Sequence, residues 1–273
     1  MASGPVLARL KISGVVEGIE VATFVTIYRE LDRVDFDIRI HKPVSDRQQR
    51  LLQVFPVAAP GAVERIETTG AIIRPYLQPE GDLVAGADSK RFAVQGFVDV
   101  SVQGAGGVAI APIEAFALRR DLGGITFEAL GNDQNYKEVT QNQAEETEFR
   151  FRYSLAFHAK GYAAADLLRW SRNISMPLMV GQGRLSSSHP AAIRWNPDRA
   201  VAVCLKPAED DGVVLRLWET GGRSEAIPLD VIGYRHATET DLLERDRAVL
   251  GLGGNRVLLP IRPRGFATLR LSR

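Results

Sequence analysis

Two aspartates on one predicted strand are the first candidates for chemistry in this sequence. Asp35 and Asp37 lie two residues apart within Arg33–His41, a segment in which apolar and polar residues alternate. Side chains two apart on a strand point to the same face and are separated by roughly 7 Å along it. Glycosidases use two carboxyl groups on either side of the bond that they cleave. Alternating charges also occur on the solvated face of an amphipathic strand, and we expect that structural role here.

The residue types that bind metals, act as nucleophiles or hold phosphates do not have the spacing that such sites require. The four histidines are His41, His158, His189 and His236. None of them forms a His-x-His or His-x-x-x-His pair, which is typical of zinc ligands. The single cysteine, Cys204, lies in an apolar run, where we expect a buried, unreactive thiol. Neither a Gly-x-Ser-x-Gly nucleophile elbow nor a phosphate-binding loop with its lysine occurs. The residues alone therefore indicate no active site.

Apolar and polar residues alternate with a period of two in the segments that contain Asp35, Asp37, His41 and His158. Alternation of apolar and polar residues predicts strands with one buried and one solvated face. The segments with this pattern are Ile19–Tyr28, Arg33–His41, Phe92–Val100 and Glu148–His158. Glycine-containing turns separate the strands, which favours an antiparallel sandwich. One helix is predicted around Ala163–Trp170, and it should end before Pro177.

A linker is predicted at Gly181–Pro190, which is rich in glycine, serine and proline. Further strands follow it and are sufficient for a second, smaller sandwich. These strands are predicted at Ala200–Leu205, Val213–Glu219, Ala226–Ile232, Arg256–Ile261 and Ala267–Leu271. The sequence therefore predicts two domains, at residues 1–185 and 191–273.

The composition excludes several classes of partner. The 273 residues include 34 Lys+Arg and 33 Asp+Glu, so neither nucleic acid nor an anionic membrane has electrostatic support as a partner. No stretch is long and apolar enough to cross a bilayer. The first residues, Met1–Pro5, do not resemble a signal peptide, so a cytoplasmic protein is expected.

Several segments in the first two thirds of the chain resemble one family in their order. Leu31–Phe36 and Leu51–Pro56 resemble a strand pair with the pattern R-hydrophobic-D-F and then L-hydrophobic-x-x-F-P. Thr69–Pro75 resembles F-G-x-I-x-R-P. Phe97–Val100 and Gly107–Ile110 resemble W-V-D-V and G-V-A-L. The family is glycoside hydrolase family 38, the class II α-mannosidases.

The resemblance continues to the C-terminus and is sharpest there. Tyr153–His158 resembles Y-x-L-x-P-H, and Asn173–Leu178 resembles N-x-P-L. Leu205–Asp210 and Leu215–Glu219 are similar to K-P-A-E-D and R-L-Y-E. Phe266–Leu271 is similar to the closing I-K-T-L-R-L. The shared order of these segments is more specific than any one of them.

The resemblance implies an all-β fold in two parts. These are a galactose-mutarotase-like supersandwich, truncated at its N-terminus, and a small C-terminal β-sandwich. In this family an upstream α/β domain supplies the aspartate nucleophile and the zinc ligands. We therefore expect the non-catalytic β portion of an α-mannosidase-like glycoside hydrolase of mannose metabolism, inactive when isolated. It would pack against the catalytic domain and help shape the cleft for an α-mannoside or another carbohydrate.

Cofactors and self-association follow from the same resemblance. No cofactor is expected in this chain, and zinc is implied only for the full-length family enzyme. A truncated supersandwich would expose apolar strand edges, so a homo-oligomer is also an expected form of the protein.

Four residues are candidates for contacts with sugar. Some members of the family carry an arginine after the G-V-A-L block that reaches toward the active site, but Thr126–Asp133 contains none. Asn132 and Asp133 offer hydrogen bonds to hydroxyl groups, although a turn explains them as well. Trp218 is expected to face outward, where its ring would stack on a sugar. His158 is the best candidate for an acid or base.

Two other functions remain open from the sequence. The chain would be a freestanding carbohydrate-binding module if Trp170, Trp195 or Trp218 were exposed for stacking on sugars. It would be a mutarotase-like sugar epimerase if His158 were a general acid beside a glutamate base in one cleft.

Overall fold

A computed structural model describes residues 2–45, 47–132, 145–159, 161–176, 193–209 and 212–273. The chain divides into two compact units. Unit 1 contains Met1–Tyr162 and Ser171–Pro177, and unit 2 contains Ala163–Trp170 and Leu178–Arg273. The predicted linker, Gly181–Pro190, lies outside the described residues. The limits of the two predicted domains, 1–185 and 191–273, therefore remain predictions.

Unit 1 consists mainly of antiparallel strands. Their bounds are β1 (Ala2–Ser3), β2 (Leu7–Val16), β3 (Ile19–Tyr28), β4 (Arg33–His41), β5 (Gln49–Phe55), β6 (Val63–Thr68), β7 (Ala71–Ile73), β8 (Arg91–Ala93), β9 (Val98–Val102), β10 (Gly106–Pro112), β11 (Ala117–Arg119), β12 (Ile125–Asn132) and β13 (Glu148–His158). A nine-stranded sheet has the order β1-β2-β3-β4-β13-β10-β9-β6-β7, and a four-stranded sheet has the order β5-β12-β11-β8.

The period of two explains how these sheets pack. On β4 and β13 the apolar residues of each strand share one face, because alternate side chains point the same way. Phe36 of β4 and Tyr153 of β13 meet Phe55 of β5, with ring centroids 5.5 Å and 5.3 Å apart. The core of unit 1 therefore lies between the two sheets, and the predicted sandwich is confirmed.

The nine-stranded sheet extends beyond the sheet that covers it. Strand β5 is the edge of the four-stranded sheet, and its Phe55 packs over β4 and β13. Strand β2, at the far side of β3, is exposed along nearly its whole length. In the part of the chain that the structure describes, no strand of the second sheet covers the core face of the β2–β3 hairpin as β5 covers that of β4.

The one helix among the described residues is α1 (Ala164–Ser175). Asp166 in its first turn and Arg172 in its last turn suit the helix dipole, which favours acidic side chains at the N-terminus and basic ones at the C-terminus. The helix includes most of the predicted segment, Ala163–Trp170, and runs five residues farther. Leu167 and Leu168 are buried.

Unit 2 is a smaller sandwich of two sheets. Its strands are β14 (Ile193–Arg194), β15 (Val201–Pro207), β16 (Gly212–Trp218), β17 (Ile227–Val231), β18 (His236–Thr240), β19 (Asp246–Leu250), β20 (Arg256–Leu259) and β21 (Phe266–Ser272). The sheet orders are β14-β17-β20 and β15-β16-β21-β18-β19. Apolar residues of β16, β18 and β21 pack with those of β17 and β20 in one core. Both units together confirm the all-β fold class.

Three local predictions differ from the structure. The predicted strand Phe92–Val100 is two strands, β8 and β9, which belong to different sheets. Strands β18 and β19 carry no clear alternation and were not predicted. Cys204 is half-buried rather than buried, because it lies on the edge strand β15 beside a bulge.

Candidate functional site

The nine-stranded sheet carries charged side chains on the face opposite its core. Directly paired residues on neighbouring strands share a face, so the register places Asp35 beside Thr26 on one side and Ser154 on the other. Farther across the sheet, Asp99 pairs with Ala109 of β10 and Arg65 of β6. We call this surface the polar face.

Asp35 is held at the centre of a cleft in the polar face. It accepts hydrogen bonds of 2.5 Å from the Tyr28 hydroxyl and the Ser154 hydroxyl, and the Arg33 guanidinium lies 3.1 Å away. Burial and the neighbouring Asp35 raise the pKa of Tyr28, so its hydroxyl remains a donor at neutral pH. The cleft has a volume of about 270 Å³ and is also lined by Arg150 and other polar residues.

Asp37 does not complete a glycosidase pair with Asp35. The Arg150 guanidinium donates to both Asp37 carboxyl oxygens, at 2.8 Å and 3.0 Å. Hydrogen bonding from Arg150 lowers the pKa of Asp37, although partial burial opposes the shift. A glycosidase general acid needs a raised pKa, so Asp37 does not fit that role. Both aspartates are instead engaged by neighbours on the sheet, as the structural interpretation of the pair expects.

Replacing Tyr28 by phenylalanine is expected to lower the free energy of unfolding by about 1 kcal/mol, because Asp35 loses a charge-assisted hydrogen bond. Urea unfolding followed by far-UV circular dichroism measures the change. The matched variant Ser154→Ala removes the other hydroxyl donor and should cost a similar amount. An unchanged midpoint in both variants would show that the two hydroxyl hydrogen bonds to Asp35 contribute nothing to stability.

His158 belongs to a second, more deeply buried group on the polar face, the His158 cluster. Its Nε2 lies 2.7 Å from Oδ1 of Asp99, a carboxylate with no solvent exposure. The other Asp99 oxygen accepts a 2.6 Å hydrogen bond from Ser101 and lies 3.6 Å from Arg65. The Arg65 guanidinium in turn stacks over the Tyr162 ring, 4.1 Å from its centroid. The cluster joins β6, β9 and β13 through side chains.

The His158 cluster has one feature of an acid–base pair and lacks another. A carboxylate orients the imidazole, as in catalytic pairs. The carboxylate is Asp99 and not a glutamate, and Nδ1 of His158 is buried without a hydrogen-bond partner among the described residues. A buried nitrogen cannot exchange a proton with a substrate in solution, so this geometry favours a structural role over mutarotase chemistry.

A buried ion pair also lies on the polar face. Glu67 of β6 is fully buried, and one of its oxygens accepts a hydrogen bond from Arg172 of α1. Burial raises the pKa of Glu67, although the charge of Arg172 opposes the shift. A Cβ at Gly96 would lie 1.8 Å from the second Glu67 oxygen, so a larger residue there would force the Glu67 side chain to move.

Asn132 and Trp218, two other predicted site residues, do not join His158. Asn132 is the last residue of β12, in the four-stranded sheet, whereas His158 ends β13 in the nine-stranded sheet. Asp133 lies outside the described residues. Trp218 belongs to unit 2, where it is 3% exposed and stacks on Phe266.

The prediction that Trp218 faces outward is wrong. Strand β16 lies between β15 and β21, and its residues are buried on both faces, so alternation along it does not mark a solvated side. Trp170 and Trp195 are half-buried, and Trp195 donates to the Ala200 carbonyl. Trp218 is thus buried, and neither of the other two tryptophans is fully exposed.

A buried glutamate in unit 2 holds two loops together by hydrogen bonds to their backbone. Glu219 has no solvent exposure and accepts hydrogen bonds from the backbone N–H groups of Gly221, Gly222 and Arg264. Sequence reasoning identified Glu219 only as the end of a family-like segment. Asp99 was likewise identified only as part of a family-like segment, Phe97–Val100. Nothing in the sequence identified Glu67 as a functional or structural residue.

No group of three or more His, Cys, Asp or Glu side chains that could hold a metal ion occurs in the part of the chain that the structure describes. Within that same part, the helix present is too short and polar to span a bilayer.

Comparison with known proteins relates the chain to one family. Residues 201–264 match the family model for the glycosyl hydrolases family 38 C-terminal beta sandwich domain. No curated protein matches the sequence.

Two solved structures share the fold. A protein in the glycosyl hydrolase family 38 from Enterococcus faecalis has a TM-score of 0.66 and 17% identity, with 92% of this chain and 30% of that one covered. An alpha-mannosidase from Enterococcus faecalis V583 has a TM-score of 0.65 and 16% identity, with 92% and 29% covered. The chain thus spans about 30% of the first of them. The resemblance found in the sequence is therefore confirmed, and this chain has the fold of the C-terminal β-sandwich region of glycoside hydrolase family 38.

Proposed function

We propose that this chain is the non-catalytic β-sandwich portion of an α-mannosidase-like glycoside hydrolase. It packs against a catalytic domain and helps shape the cleft that holds an α-mannoside or another carbohydrate. The observation that carries the proposal is the match of residues 201–264 to the family's C-terminal β-sandwich domain. The polar face supports it, because its carboxylates are occupied by arginines, hydroxyls or an imidazole.

Zinc belongs to the catalytic domain in this proposal. The described residues offer no group of three or more His, Cys, Asp or Glu side chains that could hold a metal ion. The burial of Trp218 removes one of the three tryptophans on which a freestanding carbohydrate-binding module would rely. The cytoplasmic location and a homo-oligomer remain predictions from the sequence.

The purified chain is expected to release no nitrophenol from 4-nitrophenyl α-mannoside in the presence of zinc, since in this proposal the catalytic domain supplies the nucleophile and the metal site. Absorbance at alkaline pH measures the product, and the Enterococcus faecalis α-mannosidase serves as the positive control. Turnover that disappears in Asp35→Asn or His158→Gln would belong to this chain and would overturn the proposal. Turnover that persists in both variants would overturn it as well, unless a mock purification shows the same rate.

A further inference from the structure

Cationic side chains are concentrated on one part of the polar face in unit 1. On β2, Arg9 and Lys11 pair with residues of β3 that in turn pair with Asp35 and Asp37 of β4. Directly paired residues share a face, so both cations lie on the face that carries the two aspartates. Alternate residues of β4 and β13 add four arginines to the same face. We call the following six residues the cationic patch: Arg9, Lys11, Arg33, Arg39, Arg150 and Arg152.

The cationic patch carries more positive charge than its neighbours neutralise. Its ion-pair partners among the described residues are three carboxylates, those of Asp35, Asp37 and Glu114. Lys11 forms no ion pair within the described part of the chain, although its ammonium group lies over the Phe24 ring. The whole chain is nearly balanced, with 34 Lys+Arg and 33 Asp+Glu, so the surplus belongs to this surface and not to the composition. Such a surplus is complementary to an anion.

Three of the cations converge on one aromatic ring. The charged groups of Arg9, Lys11 and Arg39 lie 5.9 Å, 5.8 Å and 4.9 Å from the centroid of the Phe24 ring. Attraction of a cation to such a ring is worth about 0.5–1 kcal/mol at an exposed site. The ring has no net charge, so the repulsion among the three cations remains. A bound anion would relieve that repulsion.

The cleft in the polar face, about 270 Å³ in volume, is the concave part of this surface, and Arg9, Arg150 and Arg152 line it. Arg150 binds Asp37 through Nε and Nη2, and Arg152 binds Glu114 through the same two nitrogens. Arg9 donates from Nε to a threonine hydroxyl. Among the described residues, Nη1 of each arginine has no hydrogen-bond partner. The three guanidinium groups are therefore held in place and keep N–H donors for a ligand.

We propose that the cleft in the polar face binds a small ligand that carries a phosphate group. Guanidinium groups bind phosphate through charge-assisted hydrogen bonds, which Arg9, Arg150 and Arg152 can supply. A phosphate group carries a charge of about −1.5 to −2 at neutral pH, so it offsets the surplus better than a carboxylate does. The cleft is smaller than the range of about 300–1,000 Å³ that is usual for drug-sized ligands, which favours a ligand no larger than a monosaccharide.

A nucleic acid suits the cationic patch less well. Proteins that bind single strands stack bases on exposed aromatic rings. The two rings that contact the patch, Phe24 and Tyr28, are half-buried, and each has a guanidinium group over it. The inference also goes beyond the proposed function, because it identifies a ligand of unit 1 by its charge and assigns no step in the cleavage of a mannoside.

Isothermal titration calorimetry of the whole chain, in a low-salt buffer without phosphate, tests the site. Inorganic phosphate and glucose 6-phosphate should bind, glucuronate should bind more weakly, and uncharged mannose should bind most weakly. Arg9→Gln removes a guanidinium group whose hydrogen-bond partner in the described chain is a hydroxyl, and it should weaken phosphate binding by about tenfold. Arg262→Gln removes the same charge from an exposed position in unit 2 and should leave the affinity within about twofold.

A variant with increased affinity provides a second test. Glu114→Gln removes the negative charge that neutralises Arg152, and the exposed side chain keeps one acceptor oxygen. Phosphate should then bind about threefold more tightly, and added salt should reduce this gain. Far-UV circular dichroism should be the same for all three variants and the parent chain.

Each outcome decides the inference. Equal affinities for the two phosphates would identify the free anion as a sufficient ligand, whereas tighter binding of glucose 6-phosphate would identify a sugar phosphate, and both results agree with the proposal. No phosphate binding, tighter binding of glucuronate than of either phosphate, equal losses in Arg9→Gln and Arg262→Gln, or weaker binding in Glu114→Gln would overturn it. An oligothymidylate that binds and is not displaced by phosphate would indicate a nucleic-acid surface and also overturn it. None of these measurements depends on mannoside turnover, so the proposed function can fail while the phosphate site stands.

Discussion

Replacing Arg172 by alanine is expected to lower the free energy of unfolding by about 3–5 kcal/mol at neutral pH. Glu67 has no solvent exposure, and Arg172 is its ion-pair partner. Without the guanidinium, a buried carboxylate remains with no compensating charge. Alanine is a better helix former than arginine, so weaker helix propensity in α1 cannot account for the loss. Urea unfolding followed by far-UV circular dichroism is the appropriate measurement, since all three tryptophans lie in unit 2.

The free energy of unfolding that Arg172→Ala removes should become smaller as pH falls. Burial raises the pKa of Glu67 above its unfolded value, so the folded protein holds the proton more tightly than the unfolded chain. The stability from this group is therefore fully present below the unfolded pKa and declines as pH rises through the folded pKa. Arg172→Ala removes the one charge that lowers this pKa, so its cost should shrink as pH falls toward about 4.5.

Glu67→Gln provides the control for Arg172→Ala. It removes the buried charge and keeps the side-chain volume, and Arg172 is 24% exposed and can still contact water. The cost should be about 1 kcal/mol. In the Glu67→Gln background, Arg172→Ala should add far less than it does alone. Additive losses would show that Arg172 stabilises the protein by packing and not through Glu67.

Replacing Asp99 by alanine is expected to lower the free energy of unfolding by about 3 kcal/mol, the second-largest effect. One substitution removes the partner of His158, the acceptor of Ser101 and the nearest carboxylate to Arg65. These three side chains are largely buried and have little access to water as a replacement. The same urea titration measures the loss.

Two matched variants separate the His158 cluster from general effects of lost charge. Asp99→Asn keeps the shape and one acceptor oxygen, so it should cost about half as much as alanine. Asp246→Ala removes an aspartate that is 60% exposed and paired with Arg270, and it should change stability by less than about 1 kcal/mol. If Asp99→Ala matched Asp246→Ala, the cluster would contribute no more than a surface ion pair.

The strands that could be predicted from the sequence are those with a local pattern. The bounds of β3, β4 and β13 match the alternating segments, because solvent on one face and core on the other impose a period of two on each strand. The family resemblance likewise rests on short segments in a fixed order, and residues 201–264 match the family model. Fold class and family could therefore be recognised without coordinates.

Burial on both faces is the first property that the local pattern could not show. Trp218 follows the alternation of an outward residue, yet it is buried because β16 is central in its sheet and covered on both sides. Strand β2 shows the reverse. Leu10 and Ile12 have the pattern of core residues, yet they are exposed because the second sheet ends at β5. Which positions are covered depends on how many strands each sheet contains.

Side-chain pairing is the second such property. The sequence alone determined the alternating strands, the balanced charge and the lack of any recognisable metal or nucleophile motif. Only the tertiary structure brought His158 to Asp99, 59 residues away, and Arg172 to Glu67, 105 residues away. Such pairs depend on sheet order and on where α1 packs. Those contacts are long-range, and no local period in the sequence encodes them.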